Sequence, residues 1–159
     1  MIRIPRREPS AKLHELSTLQ VFAGLSGKHL QQVASNLDEA SVPAGEVLIH
    51  EGRHNDTFWI ILEGEAELTI GGRAREVVSR GGIVGLPSMF TGREANANVV
   101  AVTDVSALVA SHAQFNALIG DPEIEIRFKA AVFDRLRDEL YQLTHGGTAK
   151  PGARKKGSK

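Results

Sequence analysis

In the middle of the chain glycines recur, and polar and apolar side chains alternate with a period of two residues. This pattern constrains the fold more than any other feature of the sequence. Between Glu65 and Ile70 polar and apolar side chains alternate, and Gly71-Gly72 follows directly. Such alternation predicts a strand with one buried face, and paired glycines predict a tight hairpin turn. Short strands are predicted at residues 47–50, 57–62, 65–70, 73–78, 96–102 and 105–110. This spacing indicates a mainly β fold, an antiparallel β-roll (double-stranded β-helix, jelly-roll-like).

On both sides of this region apolar residues recur at helical spacing. This predicts N-terminal helices before the β-roll and a C-terminal helix pair after it. Leucine spacing predicts a helix at about 10–19, and Ser26 is expected to cap a second one at about 27–36. Near the end, Ser111 and Gln114 fit a capping box, and Gly120 fits a left-handed C-cap. Asp121 is then expected to be the N-cap, and the proline after it the first residue, of a long helix over 122–144.

The long helix carries an apolar stripe whose members lie three or four residues apart. The stripe consists of Ile126, Ala130, Phe133, Leu136, Leu140 and Leu143. Two interpretations stay open: the stripe packs on the roll, or it belongs to a moving lid or a dimer helix. In the second case Phe128 and Tyr141 are the aromatic side chains that would meet a ligand or a partner.

The amino-acid composition limits the kinds of site that the chain can form. The chain has no cysteine, which excludes disulfides, zinc-thiolate sites and thiol catalysis and suits a reducing cytoplasm. Formal net charge is zero, but basic residues gather at both ends. We interpret residues 1–9 as a flexible basic arm, 10–145 as the folded domain and 146–159 as a disordered basic tail. The tail predicts at most a weak contact with nucleic acid or an anionic membrane surface.

The sequence contains neither a Gly-x-Ser-x-Gly elbow nor a P-loop. His50, Glu51, His54 and Asp56 are candidate metal ligands by type, but their spacing fits a solvated loop better than a metal site. We therefore expect no enzyme activity, no catalytic residues, no metal ion and no cofactor.

Several segments, in this order, carry a resemblance to a known family. They are residues 42–48 (VPAGEVL), Glu51-Gly52, residues 58–62, Gly64 and Asp104-Val105. Together with the flanking helices they resemble the cyclic nucleotide-binding domain over about residues 10–144. This family includes bacterial catabolite-activator (Crp-Fnr type) regulators, kinase regulatory subunits and ion-channel gating domains. The resemblance implies a regulatory module whose ligand would be cAMP or cGMP.

In that family the ligand lies in a cassette of the form Phe-Gly-Glu-Leu-Ala-Leu, a turn, then Pro-Arg-Ser-Ala-Thr-Val. Its arginine binds the cyclic phosphate and its glutamate accepts the ribose hydroxyl. Residues 84–99 (VGLPSMFTGREANANV) align with it without gaps: Gly85 matches the glycine and Ala97 the alanine. Leu86 then replaces the glutamate and Ala95 the arginine. The resemblance therefore implies a degenerate phosphate-binding cassette.

Each missing charge-assisted hydrogen bond costs about 1.5–3 kcal/mol, or roughly tenfold to hundredfold in affinity. Arg93 lies two residues before Ala95, so in an extended chain it points the same way and is a candidate substitute. Pro87 removes one backbone donor from the helix start. The candidate ligand-binding residues are Gly85, Leu86, Pro87, Ser88, Arg93, Ala95, Asn96, Ala97 and Asn98.

Two functional hypotheses follow. The first is a stand-alone module that senses cAMP, cGMP or a related small ligand and relays its binding through the C-terminal helix to a protein partner. The second is a degenerate domain that binds no ligand and serves as a protein-interaction scaffold. A homodimer fits either one. Sequence-specific DNA binding is not expected, because only about fifteen residues follow the long helix, too few for a helix-turn-helix unit.

Overall fold

The computed structural model describes Ile2 and residues 9–144. Its helices are α1 (Pro9–Ser17), α2 (Gly27–Ala34), α3 (Leu86–Thr91), α4 (His112–Ile119) and α5 (Pro122–Thr144), with a 3-10 turn at Gln20–Phe22. Its strands are β1 (Asp38–Val42), β2 (Val47–Ile49), β3 (Thr57–Glu63), β4 (Ala66–Ile70), β5 (Arg73–Val78), β6 (Ile83–Val84), β7 (Asn98–Ala101) and β8 (Val105–Ser111). Apart from Ile2, the predicted basic arm up to residue 8 lies outside the described residues, as does the whole predicted tail 146–159.

The strands form two four-stranded antiparallel sheets, ordered β1-β8-β3-β6 and β2-β7-β4-β5. This confirms the predicted β-roll with flanking helices. Strands β1 and β6 were not predicted, because β6 has only two residues and buried and exposed residues do not alternate along β1. Within the described residues, no helix is both long and apolar enough to cross a membrane.

Strand β3 explains how the roll and the helices share one core. Phe58, Ile60 and Leu62 face the helices, whereas Trp59 and Ile61 face the space between the two sheets. All five side chains are buried, which accounts for a run without polar residues. The strand therefore connects a helix-side core with an inter-sheet core.

Helix α5 packs through a different face from the predicted stripe. Ile124 and Phe128 are fully buried, and the Phe128 ring meets the Phe58 ring edge-on at 5.3 Å between centroids. Ile126 and Phe133 are instead 64% and 65% exposed. The interpretation that the predicted stripe packs on the roll is wrong, because the aromatic cluster selects the face that carries Phe128. Phe128 is consequently inaccessible to a ligand or partner, while Tyr141 is exposed.

The predicted helix caps are confirmed at three of four places. Ser26 accepts a hydrogen bond from the backbone of His29, and Ser111 and Gln114 form the capping box. Gly120 is not left-handed as predicted; its φ is −63°. Asp121 is confirmed as the N-cap of α5, because its carboxylate accepts from the Glu123 N–H at 2.8 Å.

Candidate functional site

A cavity of about 220 Å³ lies at the edge of the roll, where α3, the loop before β7 and helix α5 meet. The residues that line it are Ile49, Leu68, Ile70, Ile83, Val84, Gly85, Pro87, Ser88, Ala95, Asn96, Ala97, Val99, Val132, Arg135 and Leu136. Six of the nine candidate residues from the sequence belong to this wall. Most of the predicted cassette residues thus line one cavity. Helix α5, which is not part of the cassette pattern, lines it as well.

Gly85 makes the sharp turn from β6 into α3. Its φ is +95°, and a Cβ at this position would lie 2.6 Å from the Thr57 carbonyl oxygen. Only glycine fits such a turn without strain. The turn places the start of α3 directly against β3, so the following residues reach both the cavity and the core.

Leu86 does not face the cavity. Its side chain is 2% exposed and packs in the helix-side core with Met89. A carboxylate here would be buried among apolar side chains, which is costly without a partner. Leu86, which the sequence analysis aligns with the family's glutamate, is therefore a core residue.

Ala95, which the sequence analysis aligns with the family's arginine, does line the cavity. Its backbone is fixed on both sides: its N–H donates to the Arg53 carbonyl at 2.9 Å, and its carbonyl accepts from the Gly52 N–H at 2.8 Å. The side chain is 6% exposed and contributes to the inter-sheet core. At this point of the wall the chain therefore presents a methyl group and no charge.

Ser88 belongs to a buried polar network. The Asn55 amide donates to Ser88 Oγ at 2.8 Å and to the Thr57 carbonyl at 2.7 Å, and Ser88 Oγ donates to the Gly85 carbonyl at 3.2 Å. Asn55 and Ser88 are 9% and 7% exposed. This network ties α3 to β3. Sequence reasoning missed Asn55, which it assigned to a polar loop.

The remaining two candidates lie away from the wall. Asn98 accepts a hydrogen bond from the Glu51 N–H at 2.8 Å and so joins the β2–β3 loop to β7. Arg93 is exposed, and its backbone N–H donates to Thr91 Oγ1 at 3.1 Å. In the described structure Arg93 lies outside the cavity wall.

Three of the four candidate metal ligands contact other groups of the protein. The Glu51 carboxylate accepts from the Gly71 N–H, with both oxygens at 3.1 Å, and so fixes the β4–β5 turn. His54 and Asp56 form an exposed pair with 2.7 Å between Nε2 and Oδ1. Over residues 9–144, no group of three or more histidine, aspartate or glutamate side chains is arranged to hold an ion.

Arg135 of α5 is the cationic side chain of the cavity wall as the described residues form it. Its Nη1 lies 3.0 Å from Glu76 Oε1 on β5, and its Nη2 donates to the Ile83 carbonyl at 2.9 Å. Arg135 and Glu76 are only 24% and 30% exposed. No local pattern singles out this arginine, because its place depends on how α5 packs against the roll.

Comparisons with known proteins agree with this architecture. The family model described as "Cyclic nucleotide-binding domain" matches residues 39–121. A cAMP-dependent protein kinase regulatory subunit of Emericella nidulans is 32% identical over 110 residues, which are 68% of this chain; the chain spans 27% of that protein's length.

Two solved structures share the fold. A cyclic nucleotide-binding domain from Methylobacillus flagellatus superposes with a TM-score of 0.71 at 22% identity, covering 90% of this chain and 85% of that one. The regulatory subunit of a cAMP-independent protein kinase A from Trypanosoma brucei gives 0.72 at 18% identity, covering 88% and 50%.

Proposed function

Because the chain belongs to the cyclic nucleotide-binding domain family, we propose that it is a non-catalytic regulatory module that senses a small molecule in this cavity. The ligand is cAMP, cGMP or a related small anion, and its binding is relayed through α5 to a protein partner in the cytoplasm. One observation carries the proposal: Val132, Arg135 and Leu136 of α5 line the same cavity as the cassette residues. A ligand that fills the cavity therefore contacts the roll and the helix together.

The cassette residues of the proposed site divide into two groups. Gly85, Pro87, Ser88, Asn96 and Ala97 line the cavity and would contact the ligand. Leu86 and Ala95 replace the two charged contacts that hold a cyclic nucleotide in the family. Loss of two such contacts, each worth about 1.5–3 kcal/mol, moves a micromolar affinity toward the millimolar range.

A titration with cAMP and cGMP tests the cyclic nucleotide assignment. Trp59 serves as the reporter, since it is 5% exposed and pairs across the sheet with Val84 of the cavity wall. We expect a saturable fluorescence change with half-saturation in the millimolar range. A flat response to both nucleotides, with isothermal titration calorimetry also silent, would rule out cyclic nucleotides as the ligand.

A second candidate function is a protein-interaction module, and the exposed face of α5 favours it. Ile126, Phe133, Leu136 and Leu140 are between 49% and 65% exposed. Ile126, Phe133 and Leu140 recur every seven residues, the spacing of a helix that pairs with another helix. The partner we assign to this face is a second copy of the chain.

A further inference from the structure

The cavity wall is mostly apolar: apart from Arg135, its polar side chains are the uncharged Ser88 and Asn96. Strands of both sheets contribute Ile49, Leu68, Ile70, Ile83, Val84 and Val99, all of them aliphatic. The cassette adds Ala95 and Ala97, so the position of the family's phosphate contact is apolar too. Such a surface binds the hydrocarbon part of a ligand and gives little to a sugar or a cyclic phosphate.

Arg135 supplies charge at one side of this apolar hollow. Its guanidinium carries five N–H donors in a planar fork, of which the structure shows one aimed at Glu76 and one at the Ile83 carbonyl. The Glu76 carboxylate therefore already marks where a carboxylate meets this arginine. Arginine forks match carboxylates in shape and charge, so a ligand carboxylate can take the place of Glu76.

We propose that the cavity binds an amphipathic monocarboxylate, with its hydrocarbon body in the roll and its carboxylate on Arg135. The proposal rests on the sensing function proposed above and narrows the class of its ligand. The cavity volume of about 220 Å³ corresponds to about seven water-sized groups, and an apolar cavity of about 150 Å³ accepts benzene. The heptyl body of octanoate is therefore a suitable probe.

A monocarboxylate ligand would also transmit its binding to the position of α5. Arg135 lies on α5 and Glu76 on β5, so their pair holds the helix against the roll. A carboxylate that replaces Glu76 exchanges a contact between two protein elements for one between α5 and the ligand. The position of α5 then depends on whether the cavity is occupied.

Calorimetric titration of octanoate and 1-octanol into the full chain at neutral pH tests the proposal, because the two probes differ mainly in the charged group. We expect one octanoate per chain and at least about tenfold weaker binding of octanol. Arg135→Gln should weaken octanoate about 10- to 100-fold and leave octanol unchanged. The matched control is Arg137→Gln: Arg137 is 67% exposed on the same helix, pairs with Asp134, and should leave both probes unaffected.

Glu76→Gln gives a change of opposite sign that a damaged fold cannot imitate. It removes the carboxylate that competes for Arg135, so octanoate should bind several-fold more tightly. Equal affinity for octanoate and octanol, an unaffected Arg135→Gln variant, or no gain in Glu76→Gln would each overturn the assignment.

Titration with octanoate and with the cyclic nucleotides, together with amide exchange of α5, separates this proposal from the sensing function. If cAMP or cGMP binds and octanoate does not, the monocarboxylate assignment fails and the sensing function stands. If octanoate binds as described but amide exchange in α5 stays the same, the ligand assignment stands and the relay fails.

Discussion

Ala95 shows how a single side chain changes what the cavity recognises. Its backbone is held between Gly52 and Arg53, so the methyl group projects from a fixed point of the wall. In the alignment of the sequence analysis, Gly85 and Ala95 match the family's glycine and arginine, and Gly85 makes a left-handed turn in the structure. On this alignment the missing cationic contact is a local change.

Ala95→Arg should restore part of the cyclic nucleotide affinity. A guanidinium on this wall adds one charge-assisted contact to the phosphate, worth about 1.5–3 kcal/mol, or about 10- to 100-fold in the dissociation constant. Calorimetric titration of cAMP measures the change, with Ala95→Gln as the neutral control of comparable length. If the arginine variant binds cAMP no more tightly than the glutamine variant, the assigned register is wrong.

At the scale of elements, α5 is anchored at its start and is held further along by Ala131 and Val132, which pack against the helix-side core, and by the Arg135–Glu76 ion pair. Arg127 donates to the carbonyls of Val21 and Ala23 at 3.1 and 2.7 Å. Asp121 caps the helix, and its second oxygen lies 3.1 Å from His29 Nε2. Beyond Phe128, Arg135 joins the helix to β5 and β6. This arrangement suits a helix that pivots about a fixed base.

Asp121→Ala should destabilise the base of α5. The loss of a side-chain N-cap costs about 0.5–2 kcal/mol, and the contact with His29 is lost as well. Urea unfolding followed by Trp59 fluorescence measures the difference in stability. Asp121→Asn is the matched control, because asparagine still accepts the Glu123 N–H and should cost only a small part of this amount. Equal losses in the two variants would contradict the capping role.

The sequence predicted elements better than it predicted the site. The alternation before Gly71 and the Ser111–Gln114 pair are local signals, and the structure contains both the strand and the cap. The buried face of α5 was missed because the helix carries two apolar stripes, and only the aromatic cluster around Phe58 selects between them. Arg135 was missed because its two hydrogen-bond partners, Glu76 and Ile83, lie more than 50 residues away along the chain.

At the scale of the whole molecule, the exposed face of α5 predicts self-association. Burial of Phe133 from both copies contributes about 1.5–3 kcal/mol for each side chain. We expect sedimentation equilibrium to show a concentration-dependent dimer. Phe133→Ser should raise its dissociation constant by at least about tenfold.

Val102→Ser is the control for this experiment, because Val102 is 53% exposed but lies between β7 and β8, away from α5. It should leave the dimer unchanged. Two results would rule out a second copy of the chain as the partner of this face. One is a wild-type chain that stays monomeric at every concentration, and the other is a Phe133→Ser variant that dimerises as well as the wild type.

The central claim is that filling the cavity alters α5. Amide hydrogen exchange of the peptides that cover α5 and α2, with and without saturating ligand, tests it most directly. The account predicts changed protection around Val132, Arg135 and Leu136, and unchanged protection in α2, which lies outside the cavity wall in the described structure. Identical exchange in α5 with the cavity empty and with it saturated would contradict the account.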